Sequence, residues 1–196
     1  MPFEELKVLL TMLQHYNPEI PITHMVKVLC TKDSNDEFTI IYEDLGEVTI
    51  INLLSDNSEY TKEDDFISIA YEVAKSLKDL KNFNIAHKGI HPSNIYKVNG
   101  VIKLGLPMLN FSSQEKIEFN GDKYFYKAPD KRMSTLTDIW SFGVFLLDIF
   151  KERARCANLL YAKNSKSTNI PVDVQKLAMR CLRAQSTERI QAKEIL

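Results

Sequence analysis

The chain has 196 residues, 44% of them apolar and 26% charged, which suits one globular domain with a single sizeable core. A formal net charge of −1 gives no electrostatic case for a nucleic-acid partner or an anionic membrane surface. The three cysteines, Cys30, Cys156 and Cys181, are odd in number and widely spaced. They make neither a disulfide framework nor a zinc-type pairing, so a reducing compartment, cytoplasmic or nuclear, is expected. The acidic start does not read as a signal peptide, and the most apolar run, 140–150, is broken by Asp148 and too short to cross a bilayer.

Residues 2–16 read as a helix, with Leu6, Leu9, Leu10 and Leu13 on one face and Asn17-Pro18 as its stop. Two strand-like runs follow, 25–30 and 38–42, joined by the polar turn Lys32-Asp33-Ser34-Asn35-Asp36 into a hairpin. Glu43-Asp44-Leu45-Gly46 leads into a short segment, 48–54. The clearest helix spans 62–81; Thr61 and Asp64 form a capping-box-like start, and Phe66, Ile69, Ala70, Val73, Leu77 and Leu80 make a buried stripe. Runs 95–98 and 101–104 flank Asn99-Gly100, a hairpin signal because both central positions of a type I′ turn need positive φ. Further helices are expected at 137–150, 172–182 and 186–196. His15 and His24 belong to no motif and are expected on the surface, as is His91.

Residues 85–94 read Ile-Ala-His-Lys-Gly-Ile-His-Pro-Ser-Asn. This resembles the H-R-D-L-x-x-x-N catalytic loop of eukaryotic protein kinases. The frame is kept as His87, Pro92, Ser93 and Asn94, but Gly89 stands where the family has its catalytic Asp. Other motifs recur in family order. Glu43-Asp44-Leu45-Gly46 is similar to the interlobe hinge. Tyr126-Lys127-Ala128-Pro129-Asp130 is similar to A-P-E, and Asp138-Ile139-Trp140-Ser141-Phe142-Gly143-Val144 to D-x-W-S-x-G-V. Cys181-Leu182 with Arg189 is similar to the C-L…R ending.

The resemblance implies an α+β protein-kinase-like fold over 1–196, with 1–44 a remnant of the small lobe, truncated before the regulatory helix, and 45–196 a nearly complete large lobe. It implies structural roles for Asp138, Trp140 and Gly143, with Asp138 holding the catalytic-loop amides. It also implies an ion pair between Asp130 and Arg189; Asp is one methylene shorter than the family's Glu, so a longer or water-bridged contact is expected.

The chemical positions are changed. Leu106 stands at the magnesium-binding Asp of D-F-G, Pro107 follows it, and His91 replaces the catalytic-loop Lys. No G-x-G-x-x-G and no V-A-I-K-type strand is present. One amide at Asn94 is a poor magnesium site, because that ion favours charged oxygen ligands. No catalytic residue, metal or cofactor is therefore expected, and the implied function is that of a pseudokinase: a scaffold, decoy or allosteric regulator of a protein partner such as an active kinase. Self-association through the exposed edge of the 25–42 hairpin is a further expectation. Ser112, Ser113, Tyr124 and Tyr126 fall in the activation-segment equivalent, where phosphorylation adds charge. The alternatives are a fragment of a longer kinase-like protein, and an atypical Ser/Thr kinase using Asp122 or Asp130.

Overall fold

The computed structural model describes residues 24–34, 38–46, 49–50, 63–107, 126–130, 132–149 and 170–196. The expected helix at 2–16, the Thr61–Asp64 cap, Ser112, Ser113, Asp122, Tyr124 and Cys156 lie outside the residues or side chains so described.

Strands β1 (Val28–Asp33) and β2 (Phe38–Tyr42) form an antiparallel hairpin rich in β-branched residues. Cys30 faces Ile41 and Thr31 faces Ile40, with a register shift between Val28 and Cys30 that leaves Leu29 unpaired as a bulge. This strand starts three residues later than the sequence suggests, and Lys32 and Asp33 belong to it rather than to the turn. The reason lies just before it. Met25 pairs in parallel with Leu104, through Val26 N–H to Leu104 O at 2.8 Å and Leu104 N–H to His24 O at 2.8 Å. The backbone at 24–26 is thus committed to another sheet before β1 begins.

Helix α1 (Glu63–Asn82) buries Ile69, Ala70, Val73, Ala74, Leu77 and Leu80 along one stripe. It ends in a Schellman-type cap. Asn84 takes φ 56°, its N–H reaches Lys81 O at 2.9 Å, and Ile85 N–H reaches Leu80 O at 2.9 Å. Strands β3 (Ile95–Val98) and β4 (Val101–Leu104) pair around Asn99 and Gly100, with φ of 51° and 82° as a type I′ turn requires. Thr49 adds a bridge on the β3 side, opposite Tyr96.

Helix α2 (Thr135–Ile149) starts at Ser134, whose Oγ accepts from Leu136 N–H at 3.2 Å, as an N-cap does. Its Ile139, Trp140, Phe142, Val144, Phe145, Leu146, Leu147 and Ile149 are all buried, so this helix is the centre of the core. Helix α3 (Val172–Cys181) packs against it where α2 has no side chain to interpose. A Cβ on Gly143 would lie 2.6 Å from Cys181 Cβ and 3.0 Å from Leu182 Cγ, which explains a glycine inside a helix despite its poor propensity.

The expected final helix is instead two 3₁₀ turns, Ser186–Glu188 and Ala192–Glu194. Between them Arg189 turns into the core and Ile190 N–H bonds Arg180 O at 3.3 Å, an arrangement that a continuous helix would forbid. The second turn carries a capping box between Gln191 and Glu194.

Candidate functional site

The loop between α1 and β3 is organised by one buried carboxylate. Asp138 on α2 accepts from His87 N–H at Oδ2 (2.6 Å) and from Lys88 N–H at Oδ1 (2.8 Å). Lys88 lies in the left-handed region, φ 65°, which turns these successive amides toward one acceptor. Burial pushes the Asp138 carboxyl up to about 7, opposed by the two loop N–H groups and the Lys88 charge.

The His87 ring is wholly enclosed. Its Nδ1 accepts from Gly89 N–H at 3.2 Å and its Nε2 lies 3.0 Å from Gly105 O. With Nδ1 accepting, Nε2 carries the hydrogen and donates, so a neutral imidazole satisfies both bonds. Burial lowers its pKa to about 4, with the Gly105 bond opposing. The ring therefore joins this loop to the end of β4.

Asn94 makes a second join between the same segments. Its Nδ2 donates to Gly89 O (3.0 Å) and Leu106 O (3.2 Å), and its backbone O accepts from Gly105 N–H at 2.8 Å. Its Oδ1 lies against the Gly105 backbone, 2.0 Å from where a Cβ would stand. The amide's one good metal-ligating atom is thus turned into the chain. Glycine at 89, leucine at 106 and this amide do not fit a magnesium ion, which needs charged oxygens. Among the described residues no cluster of three or more His, Cys, Asp or Glu side chains is placed to hold a metal.

His91 is not on the surface as the sequence suggests, being only 9% exposed. It caps the 3₁₀ turn Pro92–Asn94, its Nδ1 accepting from Ser93 N–H at 3.0 Å and lying 2.8 Å from Ser93 Oγ. Its ring meets the edge of Tyr126, centroid to centroid 4.6 Å, and this shields it. Tyr126 is itself buried, its hydroxyl donating to Asp148 and its carbonyl accepting from Ser141 Oγ at 2.7 Å. A hydroxyl so placed does not face a modifying enzyme. The signal for this contact is Asp148, a carboxylate inside an apolar run, which requires a buried partner.

Arg189 stands at the base of the site. Its Nη2 meets Asp130 Oδ2 directly at 2.6 Å, so the longer or bridged contact expected for Asp is not what forms. The guanidinium also donates to Leu136 O, Arg183 O and Ala184 O and lies 5.1 Å from the Trp140 ring centroid.

The hinge-like segment is pinned in a way the sequence did not suggest. Lys103 Nζ on β4 lies 2.6 Å from both Glu43 carboxylate oxygens, while Lys27 N–H donates to Glu43 Oε1 at 2.7 Å. Gly46 N–H closes on Asp44 Oδ1 at 2.9 Å. His24, also expected on the surface, is partly covered, its side chain 21% exposed and its Nδ1 lying 2.5 Å from Glu72 Oε2 on α1.

The protein kinase domain model matches residues 4–196. The chain is 25% identical to platelet-derived growth factor receptor alpha of Takifugu rubripes, over 89% of this chain and 18% of the receptor. It is 30% identical to the receptor of the same name from Gallus gallus, over 54% of this chain and 11% of that protein. It is 26% identical to protein-tyrosine kinase 6 of Homo sapiens, over 65% of this chain and 30% of that protein. The chain thus spans less than a third of the length of each of these relatives.

Proposed function

The chain belongs to the protein kinase family, and from that premise we propose that it is a kinase-fold domain without phosphotransferase activity that works by binding another protein. One observation carries this reading. The positions that would supply the catalytic acid and the magnesium ligand are Gly89 and Leu106, and Asn94 between them donates its amide to both of their carbonyls. Phosphoryl transfer depends on positioning and on charge stabilisation by metal and acid. Here the same atoms hold two backbone segments together. Both replaced positions lie inside the chain, so the reading is the same for a complete protein and for a piece of a longer kinase-like one.

Nucleotide binding is the test that separates this reading from an atypical kinase. A ligand far below its dissociation constant adds almost nothing to stability. Millimolar ATP with magnesium is expected to move the melting midpoint by less than about a degree. A reproducible, magnesium-dependent shift of several degrees would overturn the reading.

Binding through the β1–β2 hairpin follows from its exposed apolar groups. Leu29 and Ile41 are each 50% exposed and Tyr42 is 45% exposed, in a sheet that has two strands among the described residues. Such a hairpin is marginal by itself and offers an edge to a strand of another chain. Size-exclusion chromatography with light scattering at tens of micromolar is expected to show self-association that Ile41→Lys relieves. A wild-type monomer as clean as the variant would remove the self-association proposal.

A further inference from the structure

Segment 126–130, just ahead of α2, is fastened to the body of the protein along its length. The Tyr126 hydroxyl donates to the buried Asp148, and the Tyr126 carbonyl accepts from Ser141 Oγ at 2.7 Å, both partners lying on α2. Ala128 is buried and Asp130 pairs with Arg189. His91 closes on the Tyr126 ring from another element, the two rings inclined at 61° with centroids 4.6 Å apart. Unlike the ties to α2, this contact crosses from the segment to the loop between α1 and β3.

We propose that His91 is a latch, its ring holding segment 126–130 against the loop in a docked position that needs no phosphoryl group. Kinase activation loops are ordered by a phosphoryl group that pairs with arginine. Here the docking groups are already enclosed: His91 is 9% exposed, Tyr126 7% and Asp148 5%. The histidine does two jobs that the motif's lysine cannot. Its Nδ1 accepts from Ser93 N–H at 3.0 Å and so caps the turn Pro92–Asn94, whereas an ammonium has no acceptor. Its flat ring then meets a second ring, a contact that contributes beyond the area it buries. A lysine would carry its charge outward to water instead.

The latch concerns how the segment is held and stands whether or not the chain transfers phosphate. For a protein that works by binding, it has one consequence. The outer face of the segment, where Lys127 and Pro129 are exposed, is presented ready-made rather than switched by modification.

Trypsin cutting after Lys127 tests this on the whole chain, treated with phosphatase and shown by mass to be unmodified. Lys127 is exposed, but the next residue, Ala128, is buried, so cutting requires the segment to leave its seat. The product is quantified by mass spectrometry, and global opening is read separately from hydrogen exchange of α2 and divided out. Unmodified wild type is expected to be cut more than about tenfold more slowly than a synthetic peptide of residues 120–136. His91→Asn keeps a capping acceptor and removes the ring; it is expected to speed the cut about fivefold, the scale of one aromatic contact. His91→Phe keeps a ring without the acceptor and is expected to stay within about twofold of wild type. Should His91→Asn fail to fold, His91→Ser, which also caps without a ring, takes its place. Unmodified wild type cut as fast as the peptide, a ringless variant cut no faster than wild type, or His91→Phe cut as fast as the ringless variant each overturns the proposal.

Discussion

Arg189→Met is expected to destabilise the protein by about 3–5 kcal/mol, the scale for removing one partner of a buried ion pair. The guanidinium side chain is fully enclosed and the Asp130 side chain is 14% exposed. Its loss strands that carboxylate and leaves the carbonyls of Leu136, Arg183 and Ala184 without their donors. It also removes a cation from beside the Trp140 ring. Arg189→Lys is expected to recover only part of the loss, because an ammonium is a point charge and cannot reproduce donors fixed in a planar fork. Against a typical total stability of about 5–15 kcal/mol, the Met variant loses a large share of the fold. Urea unfolding measures it, and a loss below about 1 kcal/mol would contradict the role assigned to this pair.

The second large effect is a pair of opposed pH dependences at the loop. Asp138 is raised from 3.8 to about 7, so between those values the folded state holds a proton that the unfolded state lacks. Its contribution therefore diminishes stability as pH rises from about 4 to 7. His87 is lowered from 6.5 to about 4, so between those values the unfolded state holds the extra proton. Its contribution diminishes stability as pH falls from 6.5 to about 4. Over the shared window the two slopes oppose and largely cancel.

Asp138→Asn removes one of them. Beyond a loss of about 1–3 kcal/mol for a carboxylate that held two amides, the variant is expected to lose further stability relative to wild type as pH falls from 6.5 to 4. His87→Gln is expected to show the reverse, gaining relative to wild type over the same fall. The limiting slope for one proton is about 1.4 kcal/mol per pH unit. Stability curves of the two variants that run parallel to wild type would contradict both assignments.

Family membership was legible because the motifs that carry it fix backbone geometry through local chemistry. Asp138, placed by its motif, lies beneath the loop amides of His87 and Lys88. The Asn99-Gly100 turn and the stripe of α1 were legible because positive φ and helical periodicity are local properties. What escaped was long-range partnership. The late start of β1 depends on Leu104, nearly eighty positions away, taking the backbone at 24–26. The surface placement of His91 failed because nothing near it in sequence foretells the Tyr126 ring. The last helix failed because Arg189 is drawn inward by Asp130, a tertiary force that outweighs helix propensity at 186–196. The Glu43–Lys103 pair had no signal beyond two ordinary charged residues in separate segments.

The most direct test of the central claim is phosphotransfer itself. The whole chain is purified to a single species and incubated with labelled ATP, magnesium or manganese, and generic protein substrates. Incorporation no higher than in a protein-free control is the expected result, since Gly89 and Leu106 supply neither a proton acceptor nor a metal ligand. Turnover that follows the chain through every purification step, and that a single carboxylate substitution such as Asp122→Asn abolishes while the fold stays intact, would contradict it.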